Sequence, residues 1–170
     1  MVAYTWAQDF KQLYDKALGL YTNGNRDCTT YFNEKEISFL NDIGCNAQEL
    51  YDFVEDWCCY SEPDYGTTLL ITSIRRSYFR KILCGKLSSK VADISKLPSK
   101  TEAYGGVVWL PRVIEKARIK LEGEMHPDLM YGCGGDRKFF KDNHIDPADF
   151  LQLVWDTNGD KDLILKSIKH

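Results

Sequence analysis

A capping box followed by an apolar stripe constrains the fold of this chain more than any other feature of its sequence. Asn46 stands three residues before Glu49, so each side chain can accept a hydrogen bond from the backbone N–H of the other residue. The apolar residues that follow at helical spacing are Leu50, Phe53, Val54, Trp57 and Cys58. The pattern predicts a helix over residues 47–60.

Similar patterns recur along the chain at intervals that leave little room for strands. An apolar stripe predicts a helix over residues 66–84 that ends at Gly85, and Pro111 suits the first turn of a helix that ends near Gly123. Shorter helices are predicted over residues 6–20, 33–42, 136–143, 147–156 and 160–168. The predicted fold class is therefore all-α: a mostly helical, single compact domain over residues 1–170.

Two parts of the chain resemble each other at an offset of 100 residues. The identical pairs include Lys16 with Lys116, Tyr31 with Tyr131, Phe39 with Phe139 and Val54 with Val154. Residues 85–106 have the composition of a linker. We predict two related helical halves, residues 5–84 and 107–170, from an internal duplication. The alternative is that capped amphipathic helices resemble one another without a common origin.

Charge and hydropathy disfavour two classes of partner. The net charge is −3 and the pI is about 5.6, whereas nucleic-acid-binding domains usually carry a basic excess. No stretch approaches the roughly 20 apolar residues that span a bilayer, and residues 1–6 lack the basic and apolar parts of a secretion signal. We expect a cytoplasmic protein without a membrane partner, and nucleic acid is disfavoured. The sequence indicates no oligomeric state.

Cysteine and histidine usage indicates neither a disulfide scaffold nor a metal site. The six cysteines are expected to be reduced and mostly buried, because they are few for a disulfide-rich fold of this length. The chain has three histidines, no CxxC pair and no HExxH motif, so we predict no metal ligands. Phosphate-binding and dinucleotide glycine motifs are also missing, and no particular cofactor is indicated.

The most unusual segment is residues 131–137, which place three glycines in four positions just before a predicted helix. Flexible backbone at Gly134 and Gly135 can turn its N–H groups toward a ligand, and a helix N-terminus adds partial positive charge, so the segment favours anion binding. Cys133 would be the reactive thiol if Arg137 or the helix end lies close. The alternative is a purely structural turn with Asp136 as the helix cap.

Basic residues on two predicted helices are further candidates for an anion site. Arg112, Lys116 and Lys120 recur every four residues and present a row of cations. The alternative for this row is a solvated face in which Arg118 pairs with the neighbouring glutamates. Arg75 and Arg76 point about 100° apart on their helix, so a structural pair with Asp56 or Glu55 is as plausible as a ligand clamp.

Five segments together resemble a bacterial family described as domain of unknown function 5069. They are residues 54–58 (VEDWC), 74–79 (IRRSYF), 109–112 (WLPR), 115–121 (EKARIKL) and 128–137 (DLMYGCGGDR). The resemblance runs from about residue 5 to the C-terminus. It favours a pocket shared by the charged residues and the cysteine of these segments over a set of unrelated surface charges, and it implies no particular activity. Those residues are Arg75, Arg76, Arg112, Lys116, Arg118, Cys133, Asp136 and Arg137.

Two hypotheses about function follow. The first is a site for a small anionic molecule between the two halves, lined by Arg75 or Arg76, Arg112, Lys116 and Arg137 around the glycine turn, with Trp109 or Tyr131 as an aromatic wall. In an enzyme, Cys133 would be the nucleophile, or Glu122 or Glu124 the general base. The second is a non-catalytic protein-interaction or regulatory domain. The first requires the basic side chains to converge on a concavity.

Overall fold

Residues 5–169 are described by a computed structural model and form eight α-helices. The helices are α1 (Trp6–Thr22), α2 (Glu34–Asp42), α3 (Ala47–Tyr60), α4 (Tyr65–Lys81), α5 (Leu110–Glu122), α6 (Gly134–Asp142), α7 (Pro147–Asp156) and α8 (Lys161–Ile168). Outside the described part lie residues 1–4 and 170. The interpretation of the N-terminus and that of one of the three histidines concern these residues. The all-α prediction is confirmed. None of the described helices is both long enough and apolar enough to cross a membrane.

Side-chain caps explain where most of these helices begin. In the predicted capping box, Asn46 Oδ1 accepts a hydrogen bond from the N–H of Glu49 at 2.9 Å, and Glu49 Oε2 accepts one from the N–H of Asn46 at 3.2 Å. Asn33 forms a second capping box at α2, and aspartates cap α4, α7 and α8. The largest differences from the predicted bounds are that α4 already ends at Lys81, that α6 already begins at Gly134 and that α1 continues to Thr22.

The predicted linker contains a small hairpin that the sequence did not reveal. Strands β1 (Ala103–Tyr104) and β2 (Val107–Val108) pair antiparallel across Gly105 and Gly106, whose φ angles of 56° and 83° suit a tight two-residue turn. Strands of two residues are too short to show an alternating pattern. The hairpin leads directly into α5 and so fixes where that helix begins.

Helices from both predicted halves pack into one hydrophobic core. α1 lies against α3, α4 contacts α5 and α7, and α5 contacts α7. The most deeply buried apolar side chains come from both halves and include Phe10, Leu50, Ile71, Leu110, Phe150 and Ile164. α2 and α6 have the same bounds at an offset of 100 residues, and α3 and α7 begin at that offset. The recurrence agrees with a duplication, whose common origin stays a prediction.

Two of the three cations in the predicted row on α5 are buried, which corrects the interpretation of the row as a solvated face. Lys116 and Lys120 are 2% and 4% exposed, because this face of α5 packs against the protein interior. Lys120 Nζ lies 2.7 Å from Oε1 of the buried Glu49 and so ties α5 to α3. Arg118 is exposed, and it forms no ion pair with another described residue.

Lys120→Met should destabilise the protein much more than Lys141→Met. The first change leaves the buried Glu49 carboxylate without its cation and should cost about 3–5 kcal/mol. The second removes an exposed pair with Glu62, 2.6 Å long, and should cost less than about 1 kcal/mol. Urea unfolding of both variants measures the difference. Equal losses would contradict the role assigned to the buried pair.

Candidate functional site

A groove of about 1060 Å³ lies between α3, α5 and α6, and we call it the α3–α6 groove. Its first wall is formed by α3, with Gln48, Asp52, Glu55, Asp56 and Tyr60. Its second wall is formed by Lys100 and by the start of α5, with Trp109, Arg112 and Lys116. Residues 127–130 and the start of α6, with Cys133, Gly134, Gly135 and Arg137, complete it.

The groove brings together more than half of the residues predicted for a site. The predicted residues that line it are Trp109, Arg112, Lys116, Cys133, Gly134, Gly135 and Arg137. Arg112, Lys116 and Arg137 lie on two separate helices and line this one concavity, whereas Arg75 and Arg76, one of which the first hypothesis also requires, do not line it. Asp136 lies directly beneath them and is fully buried.

The Asp136 carboxylate is the centre of this arrangement. Its Oδ2 accepts hydrogen bonds from Lys116 Nζ and, at 2.9 Å, from the backbone N–H of Gly132. Its Oδ1 accepts a hydrogen bond from the indole Nε1 of Trp109 at 2.9 Å. A buried charge needs such partners, and these three fix α5, the Trp109 ring and the glycine turn against one another. Asp136 is the third residue of α6, so the predicted helix cap is wrong.

Cys133 occupies the cap position of α6 instead. Its sulfur receives a hydrogen bond from Lys116 Nζ at 3.1 Å, so the ammonium group contacts both Cys133 and Asp136. No side chain caps this helix, and in residues 5–169 no acceptor for the N–H groups of Gly134 and Gly135 is found. Gly134 and Gly135 both line the groove, so a ligand bound there could supply an acceptor for N–H groups at the helix start.

The two central glycines of the turn have different roles. A Cβ atom on Gly135 would lie 2.4 Å from Cζ2 of Trp109, so the indole ring packs where only glycine leaves room. A Cβ atom on Gly134 would come no closer than 3.8 Å to Arg137 Nη2. Only Gly132 in this segment has a positive φ, of 89°. The tight turn therefore depends on Gly132, and Gly135 allows the aromatic wall.

The four cations that line the groove differ in how far they are neutralised. Arg137 donates to Asp56 Oδ2 at 2.5 Å and to the carbonyl of Gly132 at 2.8 Å, so it joins α6 to α3. Lys116 is paired with Asp136. Arg112 donates to the carbonyl oxygen of Pro98 at 2.7 Å and, like the exposed Lys100, has no carboxylate partner among the described residues.

Carboxylates on α3 form an acidic wall that the sequence analysis missed as part of the site. Asp52, Glu55 and Asp56 line the groove. Burial raises the pKa of Asp52 to about 7, although a hydrogen bond from Gln48 Nε2 at 2.7 Å partly opposes the shift. Glu55 and Asp56 follow Asp52 by three and four residues on a predicted helix, which places the three carboxylates on one face. This spacing is the sequence signal that could have revealed the acidic wall.

Two predicted ligand-binding arginines lie away from the groove. Arg75 is 2% exposed, and its guanidinium stacks 5.3 Å from the Phe79 ring and fills the space beside Gly123. Arg76 lies over the Trp6 ring at 4.9 Å. Neither arginine pairs with Asp56 or Glu55, as the structural alternative expected, because Arg137 occupies Asp56.

The remaining candidates also lie outside the groove. Glu122 accepts a hydrogen bond from Tyr78 at 2.6 Å, and Glu124 accepts one from Ser88 at 2.8 Å. Tyr131 is buried, and its hydroxyl donates to the carbonyl oxygen of Pro147 at 2.6 Å. The aromatic wall is therefore Trp109.

The expectation of mostly buried cysteines is also wrong, since only Cys45 is buried and Cys58, Cys59 and Cys84 are exposed.

Asp52→Asn should change how stability depends on pH. The folded-state pKa of Asp52, about 7, lies above its ordinary value of 3.8. Its protonated form therefore favours folding below about pH 4, and this contribution is lost as the pH rises toward about 7. The variant should match wild type near pH 4 and exceed it by up to about 4 kcal/mol at pH 8.

Denaturant unfolding of both proteins across this pH range measures the effect. Asp128→Asn is the control, because Asp128 lines the same groove with a side chain that is 82% exposed. Parallel stability curves for wild type and Asp52→Asn would show that burial does not raise the pKa of Asp52.

A comparison with protein families found one match, over residues 95–170, to the family described as Domain of unknown function (DUF5069). The matched part contains α5, α6 and the glycine turn, whereas the acidic wall on α3 precedes it. Comparisons with curated proteins and with solved structures found no match. The resemblance carried by the second wall and the glycine turn is thus confirmed: residues 95–170 of this chain match the DUF5069 family.

Proposed function

We propose that the α3–α6 groove binds a small anionic molecule at the start of α6. The observation that carries the proposal is the pairing of an uncapped helix N-terminus with a cation that no carboxylate neutralises. Gly134 and Gly135, at the uncapped start of α6, line the same groove as Arg112. Together they offer directional donors and a full positive charge to one carboxylate or phosphate group.

The distribution of charge in the groove indicates how such a ligand would lie. Glu55, and Asp52 in its ionised form, would repel the anionic group of the ligand, whereas Asp56 is paired with Arg137, so that group belongs on the side of α5 and α6. The same carboxylates can accept hydrogen bonds from a hydroxyl or amino group at the other end of the ligand. The ligand class that fits is a small carboxylate or phosphate carrying hydrogen-bond donors. A groove of about 1060 Å³ has room for such a molecule.

The second candidate function is a protein-interaction or regulatory domain without chemistry. Two observations favour it: Lys116 and Arg137 are already neutralised by Asp136 and Asp56, and Gly135 is explained by the packing of Trp109. These residues would then only shape the fold. We favour the anion site because Arg112, whose hydrogen bond to Pro98 is to a neutral carbonyl, keeps an unbalanced positive charge beside the uncapped start of α6.

We place the protein in the cytoplasm. All six cysteines are free, and three of them are exposed. Exposed thiols persist in a reducing compartment and are oxidised more readily outside it. Acidic overall charge also suits a protein that remains free in solution.

Arg112→Gln should weaken the binding of inorganic phosphate and sulfate by about tenfold or more, because it removes a charge-assisted donor. Both anions should raise the melting temperature of the wild-type protein, since a ligand that binds only the folded state stabilises it. The shift should be largely lost in the variant. Calorimetric titration then gives the two dissociation constants.

Arg118→Gln is the matched control, because Arg118 lies on the same helix with its side chain exposed outside the groove. It removes the same charge from the chain, so it should leave anion binding within about twofold of wild type. Equal losses in both variants would indicate a general charge effect. A wild-type protein that no anion stabilises would favour the interaction-domain alternative.

A further inference from the structure

Cys133 differs from the other cysteines in what its sulfur contacts. Lys116 Nζ donates to Sγ at 3.1 Å, and the ammonium group is held in place by the buried Asp136. The sulfur also stands at the start of α6, where the helix presents partial positive charge. A cationic donor and a helix N-terminus both stabilise a thiolate, which is the nucleophilic form of cysteine.

The surroundings of three other cysteines disfavour a thiolate. Burial raises the pKa of Cys45 to about 12 and also raises the pKa values of Cys28 and Cys58. The Cys28 thiol donates to Gln48 Oε1 at 3.2 Å. Cys84 is exposed, and its sulfur lies 3.9 Å from the carbonyl oxygen of Ile82, so it serves as an exposed thiol for comparison.

We propose that Cys133 is a nucleophile that forms a covalent bond to carbon with a small anionic electrophile bound in the α3–α6 groove. The proposal rests on the anion site, because Arg112 and the N–H groups of Gly134 and Gly135 would hold the anionic group of that electrophile near the sulfur. Cys133 lines the same groove and is partly exposed, so a bound molecule can reach it.

The step balances as a displacement. The thiol proton is first released to solvent, and the Lys116 ammonium group, which is paired with Asp136, stabilises the thiolate. The sulfur lone pair then forms the S–C bond. The bond between carbon and its leaving group breaks, and the leaving group departs with the bonding electrons, as iodide departs from iodoacetate. Lys116 is a positioning residue for this step, and Cys133 supplies the reacting atom.

Alkylation of the wild-type protein tests the proposal without relying on a variant. Iodoacetamide is the neutral reagent and iodoacetate the anionic one, and peptide mass spectrometry follows Cys133 and Cys84 separately. At pH 7, Cys133 should react with iodoacetamide about tenfold faster than Cys84. The ratio of the iodoacetate rate to the iodoacetamide rate should be at least about threefold higher at Cys133 than at Cys84.

Two further measurements connect the thiol to the anion site. Inorganic phosphate should slow the alkylation of Cys133 and leave Cys84 unaffected. Arg112→Gln should lower the rate ratio at Cys133 to the value at Cys84, whereas Arg118→Gln should leave that ratio unchanged. Lys116→Met is less suitable, because it leaves the buried Asp136 carboxylate with one donor fewer and can unfold the protein.

The outcomes separate this inference from the proposed function. A Cys133 that reacts no faster than Cys84 with iodoacetamide overturns the nucleophile, and phosphate binding then still tests the anion site by itself. A fast reaction without a preference for iodoacetate overturns the anionic electrophile. Rapid, iodoacetate-selective labelling that phosphate suppresses supports both.

Discussion

The buried carboxylate of Asp136 is the constraint on which the groove depends. Burying a charge is costly unless donors surround it. Here the donors come from three places in the chain: Lys116 on α5, the indole of Trp109 just before α5, and the backbone of Gly132 before α6. Because each must reach the same two oxygens, their relative positions are fixed within narrow limits. The arrangement of the groove wall therefore depends on the hydrogen bonds of this one buried carboxylate.

A second buried pair extends this arrangement to the acidic wall. Lys120 lies one helical turn after Lys116, and it contacts Glu49 on α3. Successive turns of α5 thus hold α6 through one lysine and α3 through the other. Since α3 supplies the acidic wall and α6 the glycine turn, the width and the charge contrast of the groove depend on the burial of two lysines.

Local sequence patterns were enough to predict the helices. A capping box such as Asn46 with Glu49 marks a helix start through contacts within four residues, and these contacts form regardless of the rest of the fold. The burial of Lys116 and Lys120 depends instead on carboxylates far away in sequence, at Asp136 and Glu49. Helical spacing shows that residues share a face, and it does not show whether that face meets water or a buried carboxylate.

The candidate site was predictable where it depends on local sequence and not where it depends on tertiary packing. The run of glycines pointed to Cys133, Gly134 and Gly135 as site residues, because glycine allows backbone conformations that other residues rarely adopt and this is visible in the local sequence. The sequence also placed Arg75 in this pocket, since a motif does not show where a side chain points. In the structure the Arg75 side chain points into the interior beside Gly123. The acidic wall was missed because carboxylates on a helix are usually solvated, and only tertiary packing buries Asp52.

The contact between Gly135 and Trp109 has a consequence for relatives of this chain. The Cζ2 atom of the indole lies 2.4 Å from the place that a methyl group at position 135 would occupy. Alanine at 135 and tryptophan at 109 therefore exclude each other in this geometry. Homologous chains should vary at the two positions together, with a bulkier residue at 135 accompanied by a smaller ring or an aliphatic side chain at 109.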